Sequence, residues 1–576
     1  MTELERGGVV AVWIQNYDPL GWWPGSTLVA SAPVLVLLGL LASGRAGAWQ
    51  AALAGLLTAG GVAIGVFGMP AELVLASAGV GVAFALFRIA WLIVAAVFLY
   101  DIAVETGQFE VMKASIARLS GDRRLQAVLV AFSFGAFIEG AAGFGAPVAI
   151  SAAFLVGLGF EPFRAALLCL IANTAPVAWG AIGTPIRTLA TVTDLDVEAL
   201  SATSGRILPI LSLVIPFWLV RAMVGWRETL AVWPALVAVG GSFAVAQFLW
   251  SNYVGFELVD IVSAVASLVA GVVLLRFWRP EVEWRFPHDE DAAKAKAPTD
   301  PWAEDLVVEG GLTVGRVSRA WMPFLLLSVM VLIWGTPPVK AWMDSHTSWR
   351  PEMAGMHQTI AKGEAVTGHP RPESGDWEKA LIDVVPLSST GTAVFLAAII
   401  SGLLLRVSPW SLLRLLLKTI ARMVPALAAI FFMLALGFVT KFSGMDTVLG
   451  LAFTRTGPMF YPIFGTMLGW LGVALTGSDT SSNVLFGNLQ KVTALKLGLN
   501  PILMAAANTT GGVMGKMIDA QSIVVAAAAT GEGGREGELL RAVLWHSVAL
   551  ALLVGAIVWF YAHVAPGLVA VPVVTR

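Results

Sequence analysis

Long apolar runs, separated by short polar segments, extend over almost the whole chain. Runs of about 18 or more mostly apolar residues are long enough to cross a bilayer as helices. The pattern predicts an all-α polytopic membrane protein with about 12 transmembrane helices and two re-entrant hairpins. The predicted helical segments lie at 26–43, 48–68, 70–87, 88–104, 125–160, 161–190, 207–224, 231–250, 258–278, 319–337, 388–406, 423–440, 459–500, 501–530 and 541–563.

Two stretches place carboxylates inside segments that otherwise read as membrane interior. They are FIEGAAGFGAP at Phe137–Pro147 and ALTGSDTSSN at Ala474–Asn483. Each is followed by an Asn-Thr pair and a glycine-interrupted apolar run, beginning at Asn173 and at Asn508. An ionisable side chain at membrane depth costs about 3 kcal/mol or more. Paired, interrupted segments in corresponding positions of two halves indicate the binding site of a transporter.

The two halves align at a nearly constant offset. Two pairs are separated by 337 residues and two by 335: Thr106-Gly107 with Ser443-Gly444, Gly140 with Gly477, Asn173-Thr174 with Asn508-Thr509, and Gly180 with Gly515. The loop after 88–104 is rich in Lys and Arg and is predicted to be cytoplasmic, whereas its counterpart at 441–458 carries few and is predicted to be outside. Equivalent loops on opposite sides predict inverted-topology repeats.

This reading divides the chain into three parts. The first inverted repeat covers 26–224, with a hairpin at 125–160 and a broken helix at 161–190. Two linking helices and a cytoplasmic loop occupy 225–318. The second repeat covers 319–563, with an extracytoplasmic loop at 338–387, a hairpin at 459–500 and a broken helix at 501–530. The basic-striped segment 407–422 reads either as a helix lying in the membrane interface or as an extension of the next span.

Composition agrees with a membrane location and narrows the function. Of 576 residues, 57% are hydrophobic and 13% charged, and the mean hydropathy is +0.80; a soluble domain has about a quarter charged residues. The net charge of −2 predicts no nucleic-acid partner, and the single Cys169 allows no internal disulfide. No P-loop or metal-ligand cluster is apparent, so we expect no metal, no cofactor and no enzymatic activity.

Glu139 and Asp479 are the first candidates for proton coupling. Glu139 lies among small apolar residues, where desolvation disfavours the charged carboxylate. The alternative is a carboxylate satisfied by backbone N–H groups at a hairpin tip. Asp479 lies among Ser and Thr hydroxyls. It is expected to carry a proton, position substrate or hold Lys516, or else to cap a helix.

The sequence pattern allows more than one role for several further ionisable residues. Lys516 is the cation deepest in an apolar context, and it is expected to pair with a substrate carboxylate, with Asp479 or with Asp519. Arg187 belongs either near the same site or at the outer surface. His546 is either a proton relay or an interhelical contact. Asp101, near the end of a span, is expected at the membrane interface.

Five strings resemble the L-lactate permease family of bacterial lactate and glycolate transporters, and together they cover nearly the whole chain. They are IQNYDP (Ile14–Pro19), FGAFIEGAAGFGAPVAI (Phe134–Ile150), NTAPVAWGAIGTPI (Asn173–Ile186), GWLGVALTGSDTSSN (Gly469–Asn483) and ANTTGGVMGKMI (Ala507–Ile518). The resemblance implies a secondary carrier of L-lactate, glycolate and related 2-hydroxymonocarboxylates, coupled to protons, in the bacterial inner membrane. By analogy with other carboxylate carriers, it also suggests scaffold and transport domains in an elevator-like homodimer.

Combined with the residue pattern, this resemblance predicts polar side chains at the helix breaks that bind the carboxylate and hydroxyl of the substrate. They are Asn173, Thr174, Ser478, Ser481, Ser482, Asn508, Thr509 and Lys516, with Gly140 at the edge of the first break as a further candidate. Asn and Thr also bridge helices in membranes, which is the alternative role. The rival functions are sodium-coupled carboxylate symport, a membrane-embedded enzyme and a channel.

Overall fold

The computed structural model describes residues 12–42, 46–117, 119–141, 146–286, 312–367, 371–373, 376–382, 384–532 and 535–569. These residues are overwhelmingly helical, as the apolar pattern predicts. The first half contains α1 (Trp23–Ala42), α2 (Ala48–Gly65), α3 (Ala71–Glu105), α4 (Gln108–Ala117), α5 (Arg123–Ala141), α6 (Ala146–Gly157), α7 (Pro162–Ala172), α8 (Gly180–Thr193), α9 (Val197–Met223), α10 (Trp226–Leu230), α11 (Trp233–Tyr253) and α12 (Val259–Phe277).

The second half follows after the undescribed part of the predicted cytoplasmic loop, 287–311. Its helices are α13 (Val314–Gly335), α14 (Pro337–Thr347), α15 (Glu364–Thr367), α16 (Thr390–Leu404), α17 (Pro409–Ser443), α18 (Met445–Phe453), α19 (Gly457–Thr476), α20 (Asp479–Leu497), α21 (Pro501–Gly515), α22 (Ala520–Thr530) and α23 (Glu536–His563). Two short strands, β1 (Trp13–Ile14) and β2 (Ile360–Ala361), form a parallel pair.

Among the described residues, eight helices are long and apolar enough to cross a membrane, or nine if the bent pair α7 and α8 is one span. Four shorter apolar helices lie within α1, α2, α6 and α16. The protein is therefore a multi-pass helical membrane protein. The count of about 12 transmembrane helices, the re-entrant hairpins and the elevator scaffold stay predictions.

The helices from α3 to α9 and from α17 to α23 follow one another in matching order. The leading helices α3 and α17 have 35 residues each. Each is followed by a glycine with positive φ, 71° at Gly107 and 83° at Gly444, and then by a short helix. Gly107 and Gly444 are one of the residue pairs from which the sequence repeat was inferred.

Helix α17 corrects one of the two interpretations of segment 407–422. The basic stripe does not form a separate helix, because the chain runs as one helix from Pro409 to Ser443. Its first part therefore extends the following span. Asp101 contacts this part of α17: its side chain is buried, accepts a hydrogen bond from Thr419 Oγ1 at 2.5 Å and lies 2.7 Å from Arg422 Nη2. Asp101 is thus part of an ion pair, and its position at the membrane interface stays a prediction.

The described contacts divide the chain into two compact units. One unit comprises residues 1–91, 341–388 and 424–455. Within it, the early IQNYDP string joins the end of α17: Gln15 Nε2 donates to Phe442 O at 2.8 Å, and Tyr17 Oη donates to Gln15 Oε1 at 2.7 Å. Burial raises the pKa of Tyr17, whose hydroxyl also accepts from Gly363 N. The string has a packing role in this unit.

The other unit comprises residues 92–340, 389–423 and 456–576, and it contains the candidate site. Within this unit, two pairs of consecutive helices pack against each other. In α5 and α6, Phe134 meets Phe154 edge-on with ring centroids 5.9 Å apart. In α19 and α20, Ser482 Oγ donates to Gly469 O at 3.2 Å. Residues 142–145, which join α5 to α6, lie outside the described residues.

Local sequence explains why the second pair turns where it does. Helix α19 ends at Gly477, whose φ of 71° favours glycine, and Ser478 caps the start of α20 by accepting from Ser481 N at 3.3 Å. At the other end of α20, Gly498 again has positive φ, and Asn500 caps α21. These terminators place Asp479 on the first turn of α20.

Candidate functional site

A small cavity of about 70 Å³ lies where several helix ends converge in the unit that comprises residues 92–340, 389–423 and 456–576. The ends belong to α5, to α8 after its break from α7, to the α19–α20 turn and to α21. The cavity is lined by Glu139, Val177, Gly180, Ala181, Thr184, Pro185, Gly477, Ser478, Asp479, Thr480 and Lys516. The structure thus brings together the two predicted carboxylates and the predicted cation from distant parts of the chain.

A strained turn forms one wall of this cavity. Helices α7 and α8 are bent by 66°, and three successive residues have left-handed backbone: Ala181 at φ 45°, Ile182 at φ 58° and Gly183 at φ 75°. For a β-branched residue such as Ile182 this conformation costs about 1–3 kcal/mol. Gly183 accommodates close packing, since a Cβ there would lie 2.7 Å from Phe256 O. Such strain is typical of functional sites.

Glu139 lies in the last turn of α5 with 4% of its surface exposed. Its Oε2 has no hydrogen-bond partner among the described residues. Asn173, directly after α7, interacts with the Glu139 carboxyl group, but neither atom of its side-chain amide has a partner at ordinary hydrogen-bond geometry among the described residues. Buried polar groups are nearly always satisfied in folded proteins, so unsatisfied ones indicate a ligand or a functional role. Residues 142–145, which would supply the backbone N–H groups of a hairpin tip, lie outside the described residues, so the interpretation of Glu139 as a carboxylate bound by such groups stays a prediction.

Asp479 is partly satisfied. Its Oδ2 accepts from Thr509 Oγ1 in a short hydrogen bond and from Asn483 Nδ2 at 3.4 Å. Its Oδ1 is buried without a hydrogen-bond partner among the described residues. Gly512 packs directly beneath this oxygen, because a Cβ there would clash with it. The Oδ2 atom of Asp479 is thus bonded to α21 through Thr509, and the Oδ1 atom is available to accept a further hydrogen bond.

Lys516 terminates α21 at the rim of the cavity. Its Nζ donates to Gly477 O at 2.6 Å and lies 3.2 Å from Asp519 Oδ2. Asp519 also accepts from Ser522 N at 2.7 Å through Oδ1, which caps α22. Of the two protein partners predicted for Lys516, the structure therefore shows Asp519. Lys516 is the one cation among the described lining residues, and Asp519 balances its charge. Glu139 and Asp479 therefore have no second cation in the described lining.

The remaining predicted polar residues serve mostly as supports. Asn508 Nδ2 donates to Asn483 Oδ1 at 2.9 Å and to Ser482 O at 3.3 Å, while its Oδ1 accepts from Gln490 at 3.2 Å. Thr174 Oγ1 donates to Ile171 O at 2.9 Å. Ser478 lines the cavity, whereas Ser481, Ser482, Asn173, Thr174, Asn508 and Thr509 are not among its lining residues. Most of this set holds the helices that carry Asp479.

Two further candidates lie in other contacts. Arg187 Nη2 forms a 3.2 Å ion pair with Glu257 and donates to Thr390 Oγ1 at 3.0 Å. His546 Nδ1 accepts from Trp218 Nε1 at 2.9 Å, joining α23 to α9. The interhelical-contact interpretation of His546 matches this geometry. Gly140 has a spatial role: a Cβ there would be 2.7 Å from Asp260 Cβ.

Several residues of the site were missed from sequence. Thr184 and Thr480 line the cavity, and Gln490 joins Tyr461 Oη, Gly465 O and Asn508 in one network. Asp260 is the most notable omission, because it is a buried carboxylate in the first turn of a predicted span. The energetic argument that singled out Glu139 applies equally to Asp260 and would have found it.

These features define a class: a multi-pass helical membrane protein whose buried carboxylates and one lysine surround a small cavity at helix breaks. The profile of the family described as L-lactate permease matches residues 26–565. Glycolate permease GlcA of Escherichia coli (strain K12) is 44% identical over 564 residues, which cover 97% of this chain and 100% of that protein. L-lactate permease of Bacillus subtilis (strain 168) is 44% identical over 567 residues, covering 96% and 99%. The chain belongs to the L-lactate permease family.

Two solved structures are more distantly similar. Neisseria gonorrhoeae MtrF, described as illuminating a class of antimetabolite efflux pumps, aligns with a TM-score of 0.42 and 15% identity over 84% of this chain and 83% of that one. The Alcanivorax borkumensis YdaH transporter aligns with a TM-score of 0.43 and 16% identity over 85% and 88%. These scores are too low to support an argument about fold or function.

Proposed function

We propose that this chain is a secondary active transporter that carries L-lactate together with a proton, and also glycolate and related 2-hydroxymonocarboxylates, across the bacterial inner membrane. The names of its relatives, permeases for L-lactate and for glycolate, support the substrate class. The observation that carries the coupling is the pair of buried carboxylates, Glu139 and Asp479, each with an oxygen that lacks a partner among the described residues.

The charge of the cavity explains why a proton would accompany the substrate. Lactate and glycolate are monoanions, and Lys516 is already balanced by Asp519. An anion entering beside ionised Glu139 and Asp479 would be repelled at short distance in a medium of low dielectric constant. Protonation of Glu139 removes one negative charge and makes the loaded site less costly to move through the membrane.

The lining residues provide groups for a 2-hydroxy acid. Lys516 is the one cation among the described lining residues, and its ammonium can contact the substrate carboxylate while it stays paired with Asp519. The start of α20 adds the N–H groups and positive dipole end of a 19-residue helix. Ser478 and Thr480 offer hydroxyls at the same end. The Asn173 amide lies beside Glu139 and is not a lining residue, and we propose it for the substrate hydroxyl because it has no hydrogen-bond partner among the described residues.

We further propose inverted-topology repeats, with α5–α6 and α19–α20 as re-entrant hairpins and an elevator-like movement of the domain that carries them. The matching order of α3–α9 and α17–α23 supports the repeat, as do the positive φ values of Gly107 and Gly444. A homodimer would give the moving domain a fixed scaffold. Cross-linking of cysteine pairs introduced at accessible loop positions, with and without substrate, would test this movement.

Glu139→Gln in reconstituted vesicles tests the coupling. The amide keeps the shape of the carboxylic acid but cannot release a proton. We expect exchange of lactate for lactate to continue within about threefold of the unmodified protein, while uptake driven by a pH step falls at least tenfold. Glu161→Gln, which alters an exposed glutamate paired with Arg164 at 3.0 Å, is the control and should leave both activities unchanged. Normal proton-driven uptake by Glu139→Gln would refute the assignment.

The ion gradient that drives lactate uptake distinguishes sodium coupling from proton coupling. Vesicles of the unmodified protein in sodium-free buffer should accumulate lactate when the interior is made alkaline, and a sodium gradient without a pH step should give no accumulation. The opposite result would replace proton coupling by sodium coupling.

A further inference from the structure

Asp260 is a buried carboxyl group that the proposed mechanism does not yet use. It lies in the first turn of α12 with 1% of its surface exposed. Neither carboxyl oxygen has a hydrogen-bond partner among the described residues. Two other buried aspartates of this unit form ion pairs: Asp122 lies 2.6 Å from Arg124, and Asp101 lies 2.7 Å from Arg422.

The position of Asp260 is set by close packing of α12 against α5. Gly140 provides the space, because a Cβ there would lie 2.7 Å from Asp260 Cβ and 3.0 Å from Ile261 N. Gly140 immediately follows Glu139, and the two carboxyl groups are close enough to interact electrostatically. Asp260 is therefore a neighbour of the leading proton site, although it is not a lining residue of the cavity.

Acidic groups on adjacent elements are more exposed than Asp260. Glu257, three residues before Asp260 in the chain, is paired with Arg187 of α8, and its side chain is 23% exposed. Glu198 of α9 is exposed and interacts electrostatically with Glu257. Helix α11 contributes no charged residue, and α5 contributes Glu139 near its end and Arg123 and Arg124 at its start. The acidic groups are thus ordered from exposed to buried.

A structural role does not account for Asp260. An aspartate at a helix start usually accepts a hydrogen bond from a backbone N–H of the first turn, but Asp260 makes none. An ionised carboxylate without a partner is very costly in a buried position, so the neutral acid is the favoured form. Two neighbouring carboxyl groups also resist being ionised together and tend to share a proton.

We propose that Asp260 relays the transported proton to and from Glu139. In the forward step the O–H bond of the Asp260 carboxyl breaks, and an O–H bond forms on the Glu139 carboxylate. Asp260 is left as a carboxylate and is reprotonated from water by way of the acidic groups at Glu257 and Glu198. The inference rests on the proposed proton symport and assigns a route for its proton.

Asp260→Asn tests this relay in proteoliposomes. The substitution keeps the size of the side chain and removes its proton. Lactate counterflow, which exchanges loaded sites without net proton transfer, should stay within threefold of the unmodified protein. Uptake driven by a pH step, and the accompanying entry of protons reported by a trapped pH dye, should both slow at least tenfold. Ser263→Ala, which alters a buried hydroxyl one turn further along α12, is the matched control and should change neither rate.

The pH profile of counterflow distinguishes the relay from the proton site itself. Counterflow by Asp260→Asn should keep the pH dependence of the unmodified protein because Glu139 still titrates, whereas counterflow by Glu139→Gln should lose it. Proton-driven uptake within twofold of normal in Asp260→Asn would overturn the relay, and so would equal loss of counterflow and uptake. If a pH step did not drive lactate uptake by the unmodified protein, the proposed proton symport itself would be refuted, whatever the result for Asp260→Asn.

Discussion

Replacing Lys516 with Met removes the cation at the rim of the cavity and keeps the length of the side chain. In the native protein Lys516 Nζ lies 3.2 Å from Asp519 Oδ2, with 6% and 0% of the two side chains exposed. The variant leaves Asp519 buried without its cation, unless it takes up a proton. Protonating an ordinary aspartate at pH 7 costs about 4 kcal/mol, and breaking buried ion pairs costs about 3–5 kcal/mol. We expect Lys516→Met to lower the free energy of unfolding by about 4 kcal/mol.

The double variant Lys516→Met/Asp519→Asn should recover part of this loss, because it leaves no unpaired charge. It still lacks the charged hydrogen bond from Nζ to Gly477 O, which contributes about 1.5–3 kcal/mol. The double variant should therefore be about 1–2.5 kcal/mol more stable than Lys516→Met, and the coupling energy in a cycle completed with Asp519→Asn should exceed about 1 kcal/mol.

Unfolding in mixed micelles, titrated with SDS and followed by tryptophan fluorescence, measures these energies. Lys113 and Glu110 provide the control pair: they have the same i, i+3 spacing and an N–O distance of 2.6 Å, but their side chains are 21% and 55% exposed. Their coupling in Lys113→Met/Glu110→Gln should be below about 1 kcal/mol. A Lys516–Asp519 coupling no larger than this control would refute the reasoning.

The same double variant separates a structural role of Lys516 from a role in substrate binding. If the ammonium meets the substrate carboxylate, the variant should fold yet bind lactate at least tenfold more weakly. Unchanged lactate affinity in the folded double variant would show that Lys516 only stabilises the break between α21 and α22.

Two further predictions concern packing and His546. Gly515→Ala should destabilise the protein by about 1–3 kcal/mol in the same unfolding assay, because its Cβ would lie 2.9 Å from Ala474 N; Gly157→Ala, whose Cβ would meet no atom within 4 Å, is the control, and equal effects would contradict the packing argument. His546→Gln should keep proton-driven uptake within twofold, because Nδ1 is occupied by Trp218; a loss of that uptake with counterflow intact would favour the relay interpretation.

Local sequence patterns are enough to predict the class of protein and the regions in which helices break. Apolar runs of membrane-spanning length and the energetic penalty of Glu139 and Asp479 are local properties, so they can be read without a structure. The broken helices predicted within 161–190 and 501–530 also rest on local signals, because glycines interrupt the apolar runs there. The structure has helix ends within both ranges, at Ala172 and Gly180 and at Gly515 and Ala520.

Tertiary structure decided which polar groups meet and which are satisfied. Asn173 and Asn508 occupy equivalent places in the sequence, yet Asn508 is fully used in a network with Asn483 and Gln490, while the Asn173 amide has no hydrogen-bond partner among the described residues. Asp260 came beside Glu139 only through the approach of α12 to Gly140. A side chain's cost of burial is set by its own chemistry, but its partners are set by distant segments whose packing no local pattern encodes.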